Sequence, residues 1–129
     1  MTVKVEYTSD GIGIVVVHEG VVAWQDLHAS ISKVFADERY EKLKYWVGDR
    51  TAITKFLIDT DGARQLASLS IRESMRNPGM LLALVSPKDF EFGMSRMFQV
   101  LSEENKFKTA VFRDRASAET WIQKCLNEE

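Results

Sequence analysis

Hydrophobic and polar positions alternate with a period of two at the start of the chain. Val3, Val5 and Tyr7 are separated by charged residues, the pattern of a half-buried strand. Residues 9–11, Ser-Asp-Gly, have the composition of a turn. The β-branched run 12–17 follows, so the two segments are predicted to form an antiparallel hairpin.

In four later segments the apolar residues recur at spacings of three and four positions, which is the pattern of amphipathic helices. The first begins at Trp24 and is expected to end near residues 37–39. The second follows residues 59–61, whose side-chain oxygens can cap a helix, and ends before the Asn-Pro-Gly of residues 77–79. The third begins at Ser86, also a capping residue, and the fourth follows Asp114. Their apolar stripes are Trp24, Leu27, Ile31, Val34 and Phe35; Ala63, Leu66, Ala67 and Leu69; Phe90, Met94, Met97, Phe98 and Leu101; and Ala118, Trp121, Ile122, Cys125 and Leu126.

Short apolar runs between these helices predict three more strands. They are residues 43–47, ended by the Gly-Asp-Arg-Thr of 48–51; residues 80–85, apolar enough to be covered on both faces; and residues 107–113. Residues 53–58 are expected to form a connector or a one-turn element. The element order is β-β-α-β-α-β-α-β-α.

That order predicts an α/β fold with a mostly parallel five-stranded sheet, one antiparallel edge strand and four helices. Parallel neighbours need crossover connections, and each intervening helix is long enough to supply one. No linker or repeat divides the 129 residues, so a single domain, 1–129, is expected.

Composition narrows the function classes. The formal net charge is −2, and the lysines and arginines are scattered, so no nucleic-acid surface is predicted. No apolar run approaches the roughly 18–20 residues of a membrane span. The one cysteine, Cys125, cannot form an internal disulfide and is expected to be a small buried hydrophobe in a reducing compartment. With no leader pattern at the N-terminus, a cytoplasmic location is expected.

The standard catalytic and metal-binding motifs are absent. Residues 11–13, Gly-Ile-Gly, lie in the predicted hairpin and not between a strand and a helix, so they do not indicate a dinucleotide site. One cysteine and two histidines make a poor zinc set, and neither metal nor cofactor is expected. His18 is predicted to be an exposed turn residue. His28 would act as a general base only beside a carboxylate such as Asp49, with Thr51 near it, which keeps an enzyme as the least favoured alternative.

The predicted third helix offers a second alternative, a small apolar, lipid-like ligand. Its side chains would line the binding pocket, since methionine and phenylalanine adapt to apolar surfaces. At helical spacing the same residues are also explained by ordinary core packing. The residues concerned are Phe90, Phe92, Met94, Met97 and Phe98.

The element order, together with residues 58–66 (Ile-Asp-Thr-Asp-Gly-Ala-Arg-Gln-Leu), resembles the STAS superfamily of SpoIIAA-type anti-sigma-factor antagonists. In that family a D-S-S-G or D-S-T-G loop precedes a helix, and a partner kinase phosphorylates the second hydroxyl to release a bound protein. Asp59, Thr60, Asp61 and Gly62 match the four motif positions in order. Residues 82–121 are also similar in pattern to uncharacterised bacterial SpoIIAA-like proteins.

This chain departs from the family motif at the phosphorylated position. Asp61 cannot be phosphorylated and carries a permanent charge smaller than that of a phosphate. Thr60 is left as a candidate acceptor one place out of register, and simple helix capping explains the same four residues. The resemblance implies a non-enzymatic interaction or regulatory module. Its protein partner would contact Asp59, Thr60, Asp61, Gly62 and Arg64. Independently of the resemblance, a homodimer is an alternative, through the edge strand of residues 3–7 or through the aromatic-rich C-terminal helix.

Overall fold

The computed structural model describes residues 2–128, and over that range it contains one five-stranded sheet with helices on both faces. The strands lie in chain order, with the first antiparallel to the second and the others parallel. The predicted fold class and element order are therefore confirmed. The elements are β1 Thr2–Tyr7, β2 Gly13–Ala23, α1 Trp24–Ala36, a 3-10 turn Tyr40–Lys42, β3 Tyr45–Leu57, α2 Thr60–Ser74, β4 Leu81–Val85, α3 Asp89–Leu101, β5 Lys108–Phe112 and α4 Arg115–Asn127.

The strand order decides which face each helix covers. Because the parallel strands advance in one direction across the sheet, right-handed crossovers place α1, α2 and α3 on the same face. We call this the three-helix face; α1 packs against α2, and α2 against α3. The helix α4 follows β5 and packs on the opposite face, against β3, β4 and β5. We call this the α4 face.

The interior strand β4 is buried on both faces. All five of its residues are buried, with Leu82 and Leu84 in the core of the three-helix face and Ala83 and Val85 in the core of the α4 face. This confirms the prediction from its unbroken apolar run. Cys125 is 8% exposed in the second core, also as predicted.

The prediction for β3 was wrong. Residues 48–51 do not end the strand and residues 53–58 are not a connector, because β3 continues to Leu57 along β2. The register shifts twice, since Val17–Glu19 spans Asp49–Ala52 and Gly20–Val21 spans Ile53–Lys55. Each shift adds a residue to β3 and breaks the alternation by which a strand is recognised in sequence.

Past the residues of β2 and β3 that pair with β1 and β4, residues 20–23 of β2 and 52–57 of β3 continue as a two-stranded ribbon. We call this ribbon the β2–β3 extension. Its three-helix face packs on α1 and α2 through a small apolar core that includes Val22, Ile53 and Phe56. On its free edge, Lys88 Nζ donates to the carbonyl oxygen of Ile53 at 2.8 Å.

The predicted apolar stripe of α3 is correct only in part: Phe98 packs against two of the apolar cores, but other positions differ. The helix buries Glu91 and Ser95, and Phe90 is 52% exposed. These buried polar residues face polar groups of the neighbouring part of the sheet. The helix is therefore rotated about its axis, away from the orientation that its apolar residues alone would favour. Ser86 does not cap the helix; Lys88 occupies that position without a side-chain hydrogen bond. Among the described residues, no helix is long and apolar enough to cross a membrane.

Candidate functional site

The loop that resembles the STAS motif lies at the far end of the β2–β3 extension. Asp59 is the N-cap of α2, and its Oδ1 accepts a hydrogen bond from the Gly62 amide at 2.7 Å. Thr60, Asp61 and Arg64 are exposed, whereas Gly62 is buried. The loop is therefore an ordinary helix cap that also presents two acidic side chains and a hydroxyl at the surface.

Gly62 is required for close packing. A Cβ built on it would lie 2.5 Å from Cγ of the Trp24 indole, which is far inside van der Waals contact. The start of α2 therefore rests directly on the side chain that begins α1. The glycine at this motif position has a structural reason that is independent of phosphorylation.

Two exposed apolar side chains lie beside this loop. Val21 is 50% exposed and Leu57 is 45% exposed. Val21 pairs with Lys55, and Ala23 with Leu57, so the two side chains are two positions apart on the α4 face of the extension. We call Val21, Leu57, Asp59, Thr60 and Asp61 the tip surface.

A cavity of about 50 Å³ lies between the sheet and the three helices. Its walls are apolar apart from His18, Arg50, Ser70 and the backbone at Gly48. The pocket predicted from α3 is not this cavity. Of its five residues only Phe98 lines the wall, and Phe92 instead lies under the guanidinium of Arg113, because α3 turns its polar side inward.

His18 lies in the cavity wall, so its prediction as an exposed turn residue was wrong. β2 continues past it, and its side chain, 3% exposed, reaches α1, where Nε2 is 2.7 Å from Ser30 Oγ. The Ser30 hydroxyl donates to the carbonyl of Leu27, which assigns the Nε2 proton to the histidine. Burial and the charge of Arg50 lower the pKa of His18 to about 4. The imidazole is therefore neutral at pH 7.

Arg50 enters the cavity from the neighbouring strand. Its Nη1 donates to Ser95 Oγ at 2.9 Å, and Ser95 Oγ is 2.9 Å from Ser86 Oγ; both serines are fully buried. Burial lowers the pKa of Arg50 to about 10, although nearby Glu91 acts to raise it, so the side chain is charged at pH 7. Within residues 2–128, no carboxylate makes a salt bridge with it.

Sequence reasoning missed Arg50 because it placed this residue in a strand-ending turn. The signal that was available is on α3, where Glu91 and Ser95 are one helical turn apart. Two polar residues on a helix face that is buried need polar partners, and an arginine in a neighbouring strand is one of the few long enough to reach them.

His28 and Asp49 are not brought together. Asp49 lies on the α4 face, where Oδ2 is 3.0 Å from Arg115 Nη1 and Oδ1 accepts from the Thr51 amide. Burial acts to raise the pKa of Asp49, but the bonds from Thr51 and Arg115 outweigh it and the pKa is lowered. His28 is on α1, edge-on to Trp24, on the other side of the sheet. Over the part of the chain that the structure describes, no three His, Cys, Asp or Glu residues are grouped to hold a metal ion.

β1 is the edge strand that the homodimer prediction names. Within the described part of the chain it pairs with β2 alone, and Val5 on it is 43% exposed. This placement leaves the homodimer as a prediction.

The chain is similar to a solved structure of an uncharacterised protein of the DUF3478 family from Shewanella loihica PV-4, which has a SpoIIAA-like fold. The TM-score is 0.55 at 13% sequence identity, over 94% of this chain and 92% of the other. No family model and no curated protein matches the sequence. At this identity the likeness establishes the fold, which is SpoIIAA-like as the sequence pattern predicted.

Proposed function

We propose that this chain is a non-enzymatic interaction module that binds a protein partner through the tip surface. The observation that supports it is the pair of exposed apolar side chains, Val21 and Leu57, on a part of the sheet that α4 leaves uncovered. Exposed apolar side chains that are grouped and rimmed by polar residues are typical of protein-binding surfaces.

The charge beside the apolar pair defines the chemistry of the partner. Asp59 and Asp61 are exposed at the same end of the extension, so a partner with an apolar contact ringed by lysine or arginine would be complementary. Asp61 carries its charge permanently. Binding would therefore not be released by phosphorylation at that position, and Thr60 is the hydroxyl at which such control would act.

The test compares one exposed leucine in the tip surface with one exposed valine elsewhere on the molecule. Leu57→Lys puts a cation into the centre of the tip surface, while Val100→Lys makes a similar change on α3, where Val100 is 62% exposed. Partners are captured from a lysate of the source organism with the wild-type chain, identified, and measured against both variants. We expect Leu57→Lys to weaken binding at least tenfold, or about 1.4 kcal/mol, and Val100→Lys to leave it unchanged.

Two outcomes would contradict the proposal. One is a partner that binds Leu57→Lys as tightly as the wild type. The other is a partner whose affinity falls equally with both variants, because a nonspecific apolar contact would respond to either change.

The cavity favours a second candidate function, the binding of a small molecule. Its volume of about 50 Å³ is far below that of a lipid, so the lipid-like ligand would require α1 and α3 to separate from the sheet. Native mass spectrometry of freshly purified protein tests this, since a retained lipid would add its mass to that of the chain.

A further inference from the structure

We propose that the cavity on the three-helix face is a binding site for a small carboxylate, such as acetate, with Arg50 as its anchor. The site is separate from the tip surface, and its occupant is smaller and more polar than the lipid-like ligand considered above. The inference depends on the charge of Arg50, on how that side chain is held, and on the size and polarity of the cavity.

Arg50 is half-buried and brings a positive charge to a mostly apolar cavity, where Glu91 acts on that charge without making a salt bridge with it. Moving a cation into an apolar interior is costly unless an anion pairs with it. The contact to Ser95 is with a neutral hydroxyl and uses one of the five N–H donors of the guanidinium. An anion in the cavity would pair directly with the guanidinium and accept further hydrogen bonds.

The guanidinium is held in place before any ligand arrives. Ser86 and Ser95 are buried and hydrogen-bonded to each other, and Ser95 accepts from Arg50. The Phe56 ring lies 5.4 Å from Cζ on another side. A planar guanidinium that is already fixed loses little rotational freedom on binding, and its paired N–H groups match the two oxygens of a carboxylate.

The size of the cavity limits the ligand. A volume of about 50 Å³ holds roughly three or four water-sized groups. Acetate has that many non-hydrogen atoms, and its methyl group suits the apolar walls formed by side chains such as Leu27, Ile31 and Leu66. Phosphate and sulfate would place four oxygens among these walls with one charged donor, so a carboxylate is favoured over a tetrahedral anion.

Glu91 is the acidic residue that acts on Arg50, and it opposes anion binding. It is 5% exposed on the first turn of α3 and forms no salt bridge with Arg50, although it acts to raise the pKa of that side chain. His18 is neutral at pH 7 and neither attracts nor repels an anion strongly. Replacing Glu91 with its neutral isostere should therefore strengthen carboxylate binding.

The experiment is an NMR titration of the ¹⁵N-labelled full-length chain at constant ionic strength. The probes are sodium acetate, its neutral isostere acetamide, and sodium sulfate. We expect acetate at millimolar concentrations to shift the Arg50 Nε–H signal and the Gly48 and Ser70 amide signals along a saturable curve. Equal responses to acetamide or sulfate, or no saturable response to acetate, would overturn the proposal.

Three variants connect the response to the charge of Arg50. Arg50→Gln should lower acetate affinity at least tenfold, and Glu91→Gln should raise it severalfold. Arg113→Gln removes an exposed arginine on the other side of α3 and should change nothing. If Arg50→Gln does not fold, Glu91→Gln decides the matter: weaker or unchanged binding there contradicts the proposed site. A failed partner test at Leu57 leaves these results unaffected.

Discussion

His18 and Arg50 enter one cavity from adjacent strands, and the fold leaves them in different charge states. The imidazole loses its proton because its pKa falls to about 4, while the guanidinium, even with a pKa of about 10, keeps its charge. Two cations in one apolar cavity would repel each other, and the neutral histidine adds no second positive charge beside Arg50. This pair also makes the stability of the chain depend on pH.

Between pH 6.5 and 4 the folded chain should lose stability through His18. The unfolded chain binds a proton near the ordinary pKa of 6.5, but the folded chain binds it only near pH 4. Stability from the neutral imidazole is therefore complete above pH 6.5 and falls as the pH drops toward 4, by on the order of 3 kcal/mol.

Urea unfolding at several pH values checks this. His18→Gln should have a smaller loss of unfolding free energy over that range than the wild type, while His28→Gln should lose as much as the wild type. Parallel curves for wild type and His18→Gln would refute the assignment.

Packing between α1 and α2 depends on a residue without a side chain. Gly62→Ala would place a Cβ 2.5 Å from the Trp24 ring, and a half-buried, rigid indole does not move aside as the end of a flexible side chain can. We expect the free energy of unfolding to fall by about 2 kcal/mol.

Gly93→Ala is the matched control on α3. No atom of residues 2–128 outside its own helix turn lies within 4 Å of a Cβ at that position, so the same substitution should raise stability by about 0.5–1 kcal/mol through helix propensity. Chemical denaturation measures both changes. Similar effects from the two variants would show that α2 does not rest on Trp24 as described.

The attachment of α4 to β3 depends on a mostly buried ion pair. Asp49 and Arg115 are 3.0 Å apart, with the Asp49 side chain 7% exposed, whereas Asp89 and Arg113 are 2.7 Å apart with the Asp89 side chain 97% exposed. Burial matters more than distance, because solvent screens the exposed pair.

Asp49→Ala should therefore lower the free energy of unfolding by about 2 kcal/mol, since it removes the buried acid of the pair, leaves Arg115 only its exposed partner Glu119 and deprives the Thr51 amide of its acceptor. Asp89→Ala should have little effect. Thermal unfolding followed by circular dichroism distinguishes the two, and an equal change in melting temperature would contradict this account.

Across the whole molecule, both candidate binding regions lie toward the carboxyl ends of the parallel strands, but on different parts of the sheet. The cavity is beneath the three helices, where β2 and β3 pass the end of β4. The tip surface is on the α4 face of the β2–β3 extension. In open α/β sheets this edge is where ligands usually bind. The fold therefore permits a small ligand and a protein partner at the same time.

Local patterns were sufficient for part of the candidate site. The capping oxygen of Asp59 and the exposure of Thr60, Asp61 and Arg64 follow from a polar loop before an amphipathic helix. The cavity residues could not be found in the same way. In the sequence Arg50 lies in a segment typical of a strand end, and only the pairing of β3 with β2 shows that the strand continues. His18 lies in a segment typical of a turn, and only the packing of α1 shows that it is buried.

The sequence by itself determined the order and type of the elements, the parallel sheet with one antiparallel edge strand, the burial of β4, the cap at Asp114, and a cap for the second helix within residues 59–61. These depend on interactions between residues near one another in the chain, which hydrophobic period and side-chain chemistry reveal. Only the tertiary structure decided the length and bulges of β3, the polar buried face of α3 and the meeting of His18 with Arg50. Those features depend on contacts between residues distant in sequence, where a hydrogen-bonded partner outweighs the local preference.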